Sequence, residues 1–434
     1  MKTMSNWNQE NLFRPPLEKD AIRLELLRRV DRALKIADRA IQYLGKRGFN
    51  DAEEPEGNFA AEKPIAETAM LLYVANRIRG EQPVADAFQS LAQTLIPLAR
   101  SRDAAWDTVR YPSVCLQLAT AHILLAALGW QDPEFDKLVF QSQIASASKG
   151  HEVIPYRELE VIWLQSIWRS ETPPDHIEKV AQKTALGNSI DLLNGTRDDA
   201  YAHTHALMYY TDFGKWQRPL PRRTEDILGE STTVLARALV IEDYDLAAEA
   251  LMAWPLTCSN WTPSAAFGFR VLCSLEDKVG FLPAGPLIPK RLGELSGQAR
   301  TKYALATSYH TAYVMGMLSA LSLNLESSSP FEIVGRRCDA AVIGELQMLA
   351  PKTGAHWEQV FQSLSADEQT TLGSLLLDIA IIQSSRKSEF AQMARLLEIA
   401  FRNGMANTAF CAQSADFLSR VARFGDWSAR LQSS

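Results

Sequence analysis

The run DDAYAHTHALMYYTDFG, residues 198–214, is the densest cluster of polar and aromatic groups in the chain. Its spacing predicts a helix. Thr196, followed three residues later by Asp199, is a variant capping box with Asp in place of the usual Glu or Gln. Asp198, His205 and Asp212 fall seven apart, drift by only about 20° per step and so share one face. Tyr201, Met208 and Tyr209 fill the gaps at three- and four-residue spacing. Flanking carboxylates would set the tautomer and charge of such an imidazole, and the same stripe could hold a metal. The competing reading is a satisfied, packed histidine on a half-apolar helix. His203 lies two residues from His205 and points to another side of the helix. Gly214 is suited to the left-handed stop of the helix. The loop that follows carries Lys215, Arg218, Arg222 and Arg223 between prolines and reads as a solvated connector.

Working outward, helical periodicity recurs along the whole chain. Leu17–Leu44 is amphipathic, with Ile22, Leu26, Val30, Leu34, Ala37 and Ile41 at three- and four-residue steps. It ends at Gly45, Gly48 and Asn50, ahead of an acidic loop at residues 51–58. Helices are also expected over 61–78, 84–96, 113–128, 155–169, 175–185, 224–239, 244–254, 264–275 and 299–323, with a Gly- and Pro-rich loop at 278–290. Glu67 faces Leu71, Val74 and Ile78, which suits an acid with a raised pKa; a carboxylate stabilised near a helix N-terminus is the plainer reading. His122, inside a nearly all-apolar helix, is expected to be packed. Arg157 and Glu160 read as a surface pair. Trp254 and Trp261 flank Cys258 and suit a pocket wall, although a packed free thiol explains Cys258 equally well. In the second motif, SYHTAYVMGMLSALSL (residues 308–323), His310 is the group that titrates near neutral pH. It must find a partner or stay neutral, and Asp198, Asp212 and Glu67 are the candidate partners. Cys258 with His310 is a weaker pair of zinc ligands, since nothing local marks a third.

Composition narrows the classes. The chain has 434 residues, is 47% hydrophobic and 22% charged, and carries a net charge of -6, which excludes a domain-wide basic footprint for nucleic acid. The five cysteines are scattered, so reduced thiols fit better than a disulfide framework. The polar N-terminus has no apolar signal core and no stretch reads as a membrane span, so a cytoplasmic location is expected. No strand alternation stands out against ten or more helical patterns, and helix pairs recur every 40 to 55 residues or so. The expected fold is all-α, with helical hairpins forming an α/α toroid or, as the alternative, an open α-solenoid. The expected division is an arm over 1–16, a helical domain over 17–326 and a C-terminal helical region over 331–434 that completes or caps it.

Two motifs together, YAHTHALMYYTDFG (201–214) and YHTAYVMGML (309–318), resemble a family of all-helical bacterial proteins of unassigned function. There a Thr-His…Thr-Asp-Phe-Gly segment precedes a Tyr-His-Thr segment, and members occur beside natural-product biosynthesis genes. The resemblance runs from about residue 20 to 322 and marks Thr204, His205, Thr211, Asp212, His310 and Thr311. A broader similarity is to α/α-toroid enzymes such as terpene cyclases and the prenyltransferase β subunit. The chain lacks their Asp-x-Asp-Asp motif, of which Asp198-Asp199 is a partial echo, and Leu256 stands where an Asp-x-Cys ligand pair would need Asp.

The expectation is therefore an enzyme of bacterial secondary metabolism acting on a small or peptidyl substrate in a helical cavity. His205, Asp212, His310 and Glu67 are its candidate catalytic groups. Tyr201, Thr204, Tyr209, Tyr309, Thr311 and Trp261 are its candidate ligand contacts. A divalent metal is an open option, held by His205, Asp212 and His310. The alternative is a non-catalytic binding or scaffold protein that presents Trp216, Trp254 and Trp261 to a protein partner. Neither nucleic acid nor membrane is expected as a partner, while a homo-oligomer stays open.

Overall fold

A computed structural model describes residues 13–45, 49, 61–147, 150, 152–285, 287–323, 328–350 and 352–432. Residues 1–12 of the expected arm, Gly48, Asn50, the acidic loop 51–58 and Ser327 lie outside these. The described residues are all-α, with no strand among them. In chain order the helices are α1 (Lys19–Gln42), α2 (Glu62–Ala75), α3 (Val84–Ala99), α4 (Arg102–Arg110), α5 (Cys115–Leu118), α6 (Thr120–Ala127), α7 (Pro133–Ser146) and α8 (Pro155–Arg169). There follow α9 (Ile177–Ala181), α10 (Arg197–Tyr210), α11 (Thr224–Val240), α12 (Tyr244–Leu251), α13 (Ala253–Leu256), α14 (Pro263–Val279), α15 (Pro289–Glu294) and α16 (Gly297–Leu321). The C-terminal part holds α17 (Ala340–Leu349), α18 (His356–Gln362), α19 (Ala366–Thr370), α20 (Gly373–Arg386), α21 (Phe390–Arg402) and α22 (Ala409–Gln432).

Local chemistry explains most boundaries. Thr196 and Asp199 form the expected capping box: the Asp199 amide donates to the Thr196 hydroxyl at 3.2 Å, and the Thr196 amide donates to the Asp199 carboxylate at 2.6 Å. The expected single helix over 113–128 is instead a 3-10 turn followed by α5 and α6. The Thr120 hydroxyl donates to the Gln117 carbonyl at 2.8 Å where the two helices meet. The loop expected over 278–290 ends in α15, with Pro289 in its first turn.

The expected stripe of α1 is buried throughout, and it packs on α16 and α3. Contact between α1 and α16 is close enough to require glycine, since a Cβ on Gly316 would stand 2.4 Å from the Ala33 Cβ. One charged residue is also fully buried on α1. Arg29 meets Glu25 at 2.5 Å, Asp277 at 2.9 Å and Glu276, joining α1 to the end of α14. A cation taken out of water this completely needs such a set of anions.

Helix contacts run in a cycle: α2 packs on α6, α6 on α8, α8 on α10, α10 on α12, α12 on α16, and α16 on α2. Helices α11 and α14 also pack on α12, and α9 packs on α8. The C-terminal helices add to the same hydrophobic cluster, with α20 and α22 on α11 and α18 on α14. Arg270 of α14 donates to Glu368 at 2.7 Å, and Thr233 of α11 donates to Asp378 of α20 at 2.8 Å.

Burial pushes the Asp378 carboxyl up to about 7, against the opposing effect of the Thr233 hydrogen bond. The folded state thus holds a proton that the unfolded chain, with a carboxyl near 3.9, has released. The associated stability is fully present below about pH 4 and is lost as pH rises through 7, in all about 4 kcal/mol. Relative to Asp378→Asn, wild-type protein should therefore become progressively less stable between pH 4.5 and 8, measured by urea denaturation of both across that range.

Candidate functional site

Two acids on α12 set the site. Asp245 and Glu249 stand four apart, on one face of a short helix otherwise built from Ala, Leu and Tyr, and both are buried. Each has one oxygen committed to a neighbouring hydroxyl. Tyr201 donates to Asp245 Oδ2 at 2.6 Å, and Thr204 donates to Glu249 Oε2 at 2.6 Å. Their second oxygens face imidazoles. Asp245 Oδ1 is 3.3 Å from His310 Nε2, while Glu249 Oε1 is 3.9 Å from the same atom and 3.4 Å from His205 Nε2. Behind His310, Glu67 Oε2 of α2 lies 3.0 Å from Nδ1. Helices α2, α10, α12 and α16 thus each contribute to one cluster.

The acids are closed off and the imidazoles are partly open: the side chains of Asp245 and Glu249 are 8% and 2% exposed, those of His205 and His310 24% and 29%. Burial opposes a charged His310, but Asp245 and Glu67 outweigh it and hold the imidazole pKa well above its usual value. The His205 ring is surrounded by Tyr156 at 5.9 Å, Tyr201 at 5.6 Å and Tyr209 at 6.0 Å. Tyr209 donates to Glu160 at 2.9 Å, and Arg157 meets that carboxylate at 2.9 Å. Glu160 is therefore a buried acceptor that links α8 to α10, where the sequence suggests a surface pair. Burial and nearby carboxylates push the hydroxyls of Tyr201 and Tyr209 up, so both remain donors.

Of the expected residues, His205, His310, Glu67, Tyr201 and Thr204 converge. Tyr309 packs edge-on to His310 at 6.3 Å and to Tyr313 at 5.3 Å. Thr311 is buried, and its hydroxyl has no hydrogen-bond partner among the described residues. Asp198 is exposed, on the opening turn of α10.

Asp212 requires a correction. It lies seven residues beyond His205, just past the end of α10, and its carboxylate accepts from Tyr73 at 3.0 Å and from Trp163 Nε1 at 2.6 Å. Its partners are α2 and α8 rather than an imidazole, and the carboxylate facing His205 is Glu249. The chain turns left-handed at Asp212 and Phe213, with φ of 46° and 50°, before it reaches Gly214. The Phe213 amide donates back to the Met208 carbonyl at 2.9 Å and closes the helix end. Asp212 thus pins a strained helix terminus.

Trp261 also lies elsewhere. It stacks on Trp254 at 6.2 Å and touches Phe269, and both tryptophans are buried, so they offer no exposed aromatic surface. Cys258 is exposed and accepts from Gln217, away from His310. His122 is packed as expected, with Nε2 at 2.9 Å from Asp136. His203 points away from His205 to Ser231 at 2.9 Å, and burial drives its pKa down to about 4 despite Glu230.

Sequence reading passed over Asp245 and Glu249. The available signal was YDLAAEAL, two acids four apart in an apolar helix with no basic residue within it to pair them.

Fold and site together define an all-helical protein with a carboxylate–imidazole cluster where several helices meet. The family model described as "Domain of unknown function (DUF6895)" matches residues 30–320, which include every member of that cluster, and the chain belongs to this family. No curated protein and no solved structure matches it.

Removing the Asp212 carboxylate should leave the Tyr73 hydroxyl and the Trp163 ring N–H without an acceptor. Asp212→Ala is expected to cost about 2 to 4 kcal/mol, and Asp212→Asn, which keeps one acceptor, distinctly less. Urea denaturation of the two variants measures both.

Proposed function

We propose that this chain is an enzyme of bacterial secondary metabolism that acts on a small or peptidyl substrate at the junction of α2, α8, α10, α12 and α16. The observation that carries the proposal is the convergence of His205 and His310, from helices far apart in sequence, on Glu249 Oε1 at 3.4 and 3.9 Å. Both imidazoles keep access to solvent while the acids beside them do not. Such an arrangement suits proton transfer to and from a bound molecule, because the ionisable groups are held by their neighbours before the substrate arrives.

In this reading His205 and His310 are the catalytic groups and Glu249 joins them. Glu67 and Asp245 orient His310. Tyr201, Thr204 and Tyr209 hold the acids and the His205 ring, and Tyr309 and Thr311 form the adjoining wall. Asp212 keeps a supporting role only. The helix cycle from α2 through α16 and back to α2 supports an α/α toroid over an open solenoid. The link to secondary metabolism rests on the motif resemblance. Burial of Trp254 and Trp261 takes two of the three tryptophans out of the scaffold alternative, while Trp216 is half-buried.

Complementation of a strain lacking this gene tests the proposal. The wild-type gene should restore a compound that His205→Ala and His310→Ala restore at least about 100-fold less well, followed by mass spectrometry of extracts. An unchanged level of that compound from the double variant would end the enzyme reading.

A further inference from the structure

The free atoms of this cluster have the spacing of metal ligands. A charge-assisted hydrogen bond between imidazole and carboxylate closes to about 2.7–2.9 Å. The three contacts that converge here are longer, at 3.3, 3.4 and 3.9 Å. Ligand atoms about 2.0–2.2 Å from one shared ion stand about 3 to 4 Å from each other. One ligand atom each from Asp245, Glu249 and His310 lies within 4.8 Å of the other two.

A second observation points the same way. Asp245 is 5% exposed, and its Oδ1 atom, aimed into the cluster, has no hydrogen-bond partner among the described residues. The other oxygen of each acid is already taken by Tyr201 or Thr204, which turns the free oxygens inward. Behind His310, Glu67 Oε2 sits 3.0 Å from Nδ1, on the side where a carboxylate favours the Nδ1–H tautomer that leaves Nε2 free to ligate.

We propose that Asp245 Oδ1, Glu249 Oε1 and His310 Nε2 bind one divalent first-row transition-metal ion, with His205 beside Glu249 and outside the ligand set. One imidazole beside two carboxylates, with no thiolate, favours ions of the zinc and manganese class over calcium or magnesium, which prefer all-oxygen sites. Glu67 is a positioning residue that acts through the His310 ring. This inference rests on the proposed active centre and adds to it the cofactor; with an ion bound, His310 is its ligand and His205 is the group that moves the proton. A bound ion there would supply a Lewis acid, and the protein groups around it would still place the substrate.

Full-length, tag-free protein, stripped with chelator and reloaded with zinc or cobalt(II), provides the test. Elemental analysis should find one ion per chain, and cobalt should give the visible absorption of a nitrogen- and oxygen-ligated ion. Asp245→Asn and Glu249→Gln, near-isosteric changes checked for folding by circular dichroism, should each weaken zinc binding at least about tenfold in calorimetry. Glu67→Ala should weaken it by about 10- to 100-fold and shift the cobalt spectrum, while Glu67→Gln, which keeps an acceptor for Nδ1–H, should recover much of the affinity. A folded wild-type protein that takes up neither ion at millimolar concentration overturns the proposal. So does zinc affinity that is unchanged in both acid variants. Loss of the complemented compound in the histidine variants, without metal in the wild type, sinks the metal and spares the enzyme. Stoichiometric metal with the compound unaffected does the reverse.

Discussion

A carboxylate withdrawn from water costs several kcal/mol unless donors or a cation meet it. Helix α12 carries two such groups, Asp245 and Glu249, into the interior. Much of the centre can be understood as their compensation. Tyr201 and Thr204 supply a hydroxyl to one oxygen of each acid, and His310 and His205 face the other. Glu67 then balances His310 from the far side. Leucines at positions 245 and 249 would leave these imidazoles and hydroxyls with no reason to gather.

The same constraint appears twice more, away from the centre. Arg29 is buried entirely and draws Glu25, Glu276 and Asp277 around it, which locks α1 to the end of α14. Asp212 is buried at the end of α10 and draws Tyr73 and Trp163, which ties α10 to α2 and α8. The Asp212 contacts hold α10 and α2, two of the helices that carry the cluster, and the Arg29 set fixes α1, which packs on a third, α16. The close approach of α1 to α16 at Gly316 adds a steric element that keeps His310 in register with its neighbours.

Legibility from sequence followed the range of each interaction. The helices, the Thr196–Asp199 capping box and the packed state of His122 were readable, because they depend on residues within a turn or two, or on an unbroken apolar context. His205, His310 and Glu67 were readable as polar groups out of place on apolar faces. Asp245 and Glu249 carried the same signal in YDLAAEAL, but no histidine in that helix drew attention to them. Asp212 misled because seven-residue spacing puts it on the face of His205, while the left-handed turn at the helix end swings it towards α2 and α8.

Periodicity and capping, which are local, determined by themselves that this chain is all-α, where most of its helices start and stop, and which histidines sit on which helix faces. Tertiary structure alone decided that His205 and His310 share Glu249, that Asp245 completes the cluster, and that Trp254 and Trp261 are core. Those facts depend on which helix packs against which. That choice is made by the summed burial of many side chains and the pairing of a few buried charges, and neither is encoded in the spacing of any single stretch.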